Sequence, residues 1–105
     1  MNTHDTSSPT ALLRTHAAQA EALLKQLANA NRLMVLCQLV GGEKSVGELA
    51  KSVDLSHSAL SQHLAKLREA GLVSATKRGL MVYYRIHSAQ AQALLGVLHV
   101  MFCKT

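Results

Sequence analysis

Residues 45–73 read SVGELAKSVDLSHSALSQHLAKLREAGLV, and two serines punctuate the stretch. Ser45 precedes a short apolar-periodic segment, and Glu48 follows it three residues later, the spacing of a capping box. This predicts a short helix over 46–53. Asp54-Leu55-Ser56 is a tight link, and Ser56 caps a longer helix predicted over 57–70 and stopped at Gly71. Two helices joined by so short a turn are the helix-turn-helix pattern, whose second helix enters the major groove of duplex DNA. On that second helix Leu60, Leu64 and Leu67 recur at i, i+4 and i+7 as a core row. Ser58, Ser61, Gln62 and Ala65 fall on the opposite face, with His57 at its border, and no acid appears until Glu69. Hydroxyls and an amide there suit base edges and phosphates. Ser56 and Lys66 join them as candidate DNA contacts. His63, at the edge of the leucine row, reads as a packing or phosphate-contacting residue rather than a metal ligand.

Working outward, Leu72 to Thr76 and Met81 to Ile86 read as two short strands around a Lys77-Arg78-Gly79-Leu80 turn. Lys77 and Arg78 are placed at the hairpin tip, as a basic wing suited to phosphates or the minor groove. Ser88 caps a last helix, expected from Ala89 to about Phe102. Upstream, Ala20, Leu23, Leu24 and Leu27 follow helical spacing in a helix from about Thr15 to Leu27. A second helix is expected from Ala30 to Leu39, with Leu33, Leu36, Cys37 and Val40 on one stripe, ended by Gly41-Gly42. Residues 1–14 are expected to be a flexible arm, and residues 15–105 the folded domain. The fold class expected is mainly α with a β-hairpin wing: four helices, the hairpin, and a terminal helix.

The 105 residues allow one domain, and a chain this small often completes its core by dimerising. Hydrophobic residues make up 49% and charged ones 16%, a globular rather than disordered balance. Eleven Lys and Arg against six Asp and Glu give a net charge of +5, which favours polyanionic partners. Tyr83, Tyr84 and Phe102 are the only aromatics, too few for a single-strand stacking platform. The apolar runs fall well short of the ~18 residues of a membrane span, and no export signal is read at the N-terminus. The expected setting is therefore a reducing cytoplasm, with Cys37 and Cys103 as reduced thiols. No Cys-x-x-Cys pair, nucleophile-base-acid set or glycine-rich phosphate loop is present, so an enzyme is not expected. A winged module that contacts only protein is a further alternative, which salt-dependent duplex binding would exclude.

Three blocks resemble the ArsR/SmtB family of bacterial repressors: Leu27-Ala28-Asn29-Ala30-Asn31-Arg32-Leu33-Met34-Val35-Leu36, Ser45 to Ala50, and Leu55 to Val73. The resemblance spans about residues 16–103. It implies a winged helix-turn-helix homodimer on a double-stranded DNA operator, with the first and last helices forming the subunit interface. The metal sites of such relatives lack their ligands here. Val46 to Lys51 contains no cysteine, the last helix opens Ser88-Ala89-Gln90, and only His99 remains downstream. No cofactor or metal is expected. Cys37 and Cys103 instead match the persulfide- and redox-responsive BigR/SqrR/HlyU-like branch. That likeness implies that the two cysteines sense reactive sulfur species or oxidants, with His99 one turn before Cys103 as a thiol-tuning residue. The order of attack, and disulfide against polysulfide, stay open. So do two alternatives: a metal or metalloid inducer held by Cys37, Cys103 and His99, and an anti-repressor role.

Overall fold

The computed structural model describes residues 8–103, the side chain of Cys103 excepted. Helix α1 spans Pro9–Leu27, and α2 spans Ala30–Leu39. A two-residue strand β1 (Lys44–Ser45) leads into α3 (Val46–Ser52) and α4 (His57–Glu69). Strands β2 (Val73–Arg78) and β3 (Met81–Ile86) form the hairpin. Helix α5 (Ala89–Leu98) runs on into one π-helical turn, His99–Cys103.

The winged helix-turn-helix class expected from the sequence is what the structure contains, with differences at its edges. Helix α1 begins at Pro9, so residues 9–14 are helical rather than part of an arm. Ser8 accepts from the Ala11 amide at 3.1 Å, and Pro9 occupies the first turn, where its missing N–H leaves nothing unsatisfied. The rest of the expected arm, residues 1–7, lies outside the described residues. On α2 the fully buried positions are Val35, Leu36 and Leu39, while Leu33, Cys37 and Val40 are half-buried. The buried stripe is thus turned from the expected one. The last helix leaves α geometry at His99, short of Phe102.

Strand β1 was not expected. It pairs antiparallel with β3, Lys44 opposite Tyr84 and Ser45 opposite Tyr83, giving a three-stranded sheet in the order β1-β3-β2. β2 and β3 pair without a break from Val73–Ile86 to Arg78–Met81. Lys77 and Arg78 therefore lie in the ladder, and the turn is Gly79-Leu80 alone. Gly79 has φ +63°, and among the described residues no non-glycine residue has positive φ. A left-handed glycine at the first of two turn positions is the type II′ pattern that suits strand twist.

The core joins Leu36 and Leu39 of α2, Leu49 of α3, Leu60, Leu64 and Leu67 of α4, Val73 of β2, and Ala91 and Leu95 of α5. Each leucine so buried contributes about 1.5–3 kcal/mol relative to exposure. α1 stands apart: Leu27 is its single buried residue, and Leu12, Leu13 and Leu24 are exposed.

Candidate nucleic-acid interface

Two caps fix the helix pair α3 and α4. The Ser45 hydroxyl accepts from the Glu48 amide at 3.1 Å, and the Ser45 amide donates to the Glu48 carboxylate at 2.9 Å. These bonds satisfy a buried serine and hold the Glu48 carboxyl below its ordinary range. Ser56 accepts from the Ala59 amide at 3.1 Å and starts α4. Between the helices, Val53 is buried and Leu55 half-buried, which pins the link to the core.

The core row of α4 is as expected, with Leu60, Leu64 and Leu67 buried. Opposite it, Ser56, His57, Ser58, Ser61, Gln62, Ala65 and Lys66 are all exposed. The first turn of α4 carries no acid. Its outward amides and the positive end of the helix dipole therefore face solvent unopposed, which favours phosphate. His63 does not join this face. It is half-buried, and its Nδ1 is buried with no hydrogen-bond partner among the described residues.

The end of α4 sets the wing. Gly71, at φ +76°, follows the cap residue Ala70. The Gly71 amide bonds the Arg68 carbonyl, and the Leu72 amide bonds the Leu67 carbonyl, each at 3.0 Å. That is a Schellman ending, with Leu67 and Leu72 both buried beneath it. β2 starts one residue later, so the hairpin leaves α4 in a fixed direction.

Strand alternation then separates the two basic wing residues. Lys77 shares a sheet face with Val73 and Ala75, the face that packs toward α4, and it is exposed. Arg78 is on the other face with Tyr83. Its guanidinium lies over the Tyr83 ring, 3.9 Å from the centroid, and pairs with Glu43. That hydrogen bond raises Arg78 above its ordinary pKa and lowers Glu43 below its own. Arg78 is thus folded back on the sheet, not extended from the tip. Glu43 and Tyr83 escaped sequence reasoning; strand alternation puts Tyr83 beside Arg78, but nothing local points to Glu43. On the same outer face, Arg85 donates to the Ser74 hydroxyl at 3.2 Å.

The candidate sensor residues lie elsewhere. Cys37 is half-buried on α2, Cys103 closes the π turn, and His99 is half-buried where that turn begins. The possible ligand set Cys37, His99 and Cys103 lies partly outside the described side chains. α5 reaches the end of α2 through Gln92, whose amide donates to the Val40 carbonyl at 3.3 Å. Among the described residues no helix is long and apolar enough to cross a membrane.

A family model for bacterial regulatory proteins of the arsR family matches residues 24–75. The transcriptional activator HlyU of Vibrio cholerae serotype O1 is 45% identical over 92 residues, which are 88% of this chain and 85% of HlyU. The structure of reduced HlyU matches with a TM-score of 0.83 at 44% identity, over 88% of this chain and 97% of that one. The biofilm growth-associated repressor of Agrobacterium fabrum is 39% identical over 95 residues, 90% of this chain and 81% of the repressor. A homodimeric winged helix-turn-helix DNA-binding domain from Mycobacterium bovis, described as a possible ArsR-family regulator, matches with a TM-score of 0.73 at 30% identity, over 95% of this chain and 89% of that one. With an exposed polar helix, a hairpin wing and relatives of this likeness, the chain belongs to the ArsR family of bacterial transcriptional regulators.

Proposed function

We propose that the protein is a homodimeric, DNA-binding repressor whose operator affinity follows the thiol state of Cys37 and Cys103. The observation that carries the DNA reading is the outer face of α4, polar from Ser56 to Lys66 and free of acids. Duplex DNA fits a basic chain that presents such a helix beside a hairpin. Dimerisation is supported by the apolar surface left open on the first and last helices. Leu12, Leu13 and Leu24 are exposed on α1, and Val97, Val100, Met101 and Phe102 are exposed at the chain's other end. Two subunits joined there would present two α4 helices to major grooves about 34 Å apart.

The switch reading is supported by which elements carry the cysteines. α2 and α5 share one core, and each carries or leads into one of the cysteines. In the proposed chemistry one thiolate attacks the outer sulfur of a low-molecular-weight persulfide. The persulfide S–S bond breaks, a thiol leaves, and a cysteine persulfide forms. The second thiolate attacks its inner sulfur and expels hydrosulfide, closing a disulfide. Two cysteine thiols are oxidised by two electrons, and the transferred sulfur is reduced to sulfide. The bridge ties the end of α5 to α2, repositions the dimer helices and takes the reading heads out of register.

The test uses a duplex selected from a random library by the reduced protein. Linkage of Cys37 to Cys103, verified by mass spectrometry after persulfide treatment, is expected to weaken binding 10-fold or more, about 1.4 kcal/mol. Cys37→Ser and Cys103→Ser are each expected to bind as the reduced protein does and to ignore persulfide. Unchanged affinity after verified linkage overturns the switch. Since the relatives include both an activator and a repressor, a promoter-reporter fusion carrying the selected site fixes the sign, with derepression on persulfide exposure expected.

A further inference from the structure

The wing tip is apolar. Leu80 is 98% exposed, the most exposed large hydrophobic among the described residues, and the adjoining Met81 is 46% exposed. Both sit on a stiff support: a continuous ladder ending at the Arg78–Met81 pair, a two-residue turn with Gly79 at φ +63°, and Arg78 bound back over Tyr83 to Glu43. The cation nearest the turn is therefore committed to the protein, while Lys77 stays exposed on the sheet face that packs toward α4. The tip offers an isobutyl group flanked by one lysine.

Resting on the DNA-binding reading, we propose that Leu80 is a wedge that enters the minor groove of the bound duplex and partly unstacks one base step, while Lys77 holds a neighbouring phosphate. Leucine and methionine are among the side chains that enter minor grooves this way. The minor groove is about 6 Å wide, which admits a single side chain on a narrow turn. The alternatives fit less well. A stable protein interface needs about 800 Å² from each partner, far more than two side chains on a turn supply. Membrane attachment needs a broad apolar face, and the tip has none. The Schellman ending of α4 leads directly into β2, which packs against α4, so the wing is fixed to the helix on which the duplex would seat.

The energetic balance makes the wedge a source of sequence preference. Burying one leucine side chain is favourable by about as much as unstacking a step is unfavourable. Net gain then falls on steps that open easily, TA and CA/TG, and not on stiff A-tracts. Leu80 would read deformability at a position that α4 does not touch.

The test compares wild type, Leu80→Ala and Leu80→Met on duplexes carrying 2-aminopurine tiled across the positions flanking the α4 site. Wild type is expected to raise the fluorescence several-fold at one flanking step when that step is TA or CA. Leu80→Ala is expected to abolish the rise and lose about 10-fold in affinity on that duplex. It loses less than 2-fold when the step is replaced by an A-tract, with an unchanged salt slope because no charge is removed. Leu80→Met is expected to keep both properties. An exposed side chain makes no core contact, so an unchanged thermal melt verifies folding. Wild-type binding with no fluorescence rise, or a Leu80→Ala loss equal on both duplexes, overturns the wedge and leaves the DNA-binding reading standing. Failure of the wild type to bind any selected duplex overturns the DNA-binding reading itself.

Discussion

Arg78 donates a hydrogen bond to Glu43, 35 positions away in sequence, while stacking on Tyr83. The contact joins the wing to the segment just ahead of β1. It also occupies the guanidinium that a reading of the sequence alone assigns to DNA. Glu43 thus stands where a phosphate would otherwise be the natural partner of Arg78.

Glu43→Gln is expected to release Arg78. Operator affinity should rise a few-fold at low salt, and the slope of log affinity against log salt should steepen by about 0.9, the value of one further phosphate contact. The pair is exposed, so thermal stability should barely move. Fluorescence anisotropy titrations across a salt series give the slope directly. A slope equal to wild type means that Arg78 does not reach the backbone even when released.

Acid should undo the same contact. Glu43 is held below 4.5 chiefly by the hydrogen bond from Arg78, and Glu48 is held below 4.5 by its bonds to Ser45. A lowered carboxyl contributes stability that is fully present above its unfolded value and is lost as pH falls through its folded value. The wing contact and the reciprocal Ser45–Glu48 bond of the α3 cap are therefore intact at neutral pH, and their contributions fade as the pH falls below the ordinary carboxyl range. Carboxyl carbon shifts followed by NMR should titrate with midpoints under 4.5 for both residues, and the Tyr83 ring protons should move with Glu43. A Glu43 midpoint at 4.5 or above would contradict the pairing.

The two serine caps separate stability from binding. Ser45→Ala and Ser56→Ala each remove one hydroxyl acceptor from a helix start and should each lower stability by about 1 kcal/mol. For a domain of this size that is a fall in Tm of about 4–8 °C at fixed protein concentration. Ser45 is buried behind α3, so its loss should leave the affinity of the folded protein nearly unchanged. Ser56 is exposed at the mouth of α4, so its loss should also weaken operator binding. Calorimetry and binding on the same samples check both; equal affinity losses would place Ser56 outside the interface.

These outcomes depend on features that differ in how far the sequence discloses them. The capping box at Ser45 and Glu48, the leucine row of α4 and its polar face are local. Each is set by residues within two turns, so spacing alone reveals it. The start of α1 lies earlier than the expected arm allows because the Ser8-Pro9 cap starts a helix within a polar stretch. β1 has only two residues, too few to show alternation, and exists because Tyr83 and Tyr84 lie opposite it. The wing turn is shorter than the sequence suggests because Lys77 and Arg78 look like loop residues, whereas ladder pairing with Val82 and Met81 extends the strand through them. The Glu43 partner of Arg78 comes from tertiary placement and leaves no trace in local pattern. The π turn ahead of Cys103 has no residue signature either.

Gln62 and Lys77 are expected to fail in different ways when truncated. Gln62 is exposed midway along α4, and its amide can bond both N6 and N7 of one adenine in the major groove. Gln62→Ala should lose about 1–3 kcal/mol on the selected operator and much less on a site with that base pair changed, with no change in salt slope. Lys77 is expected to meet a phosphate, which carries no sequence information. Lys77→Ala should therefore weaken selected and scrambled duplexes alike and flatten the salt slope by about 0.9. Binding measured for both variants on both duplexes across salt gives four slopes and four affinities. A uniform loss from Gln62→Ala, or a sequence-dependent loss from Lys77→Ala, would reverse the assignment of base reading to Gln62 and phosphate anchoring to Lys77.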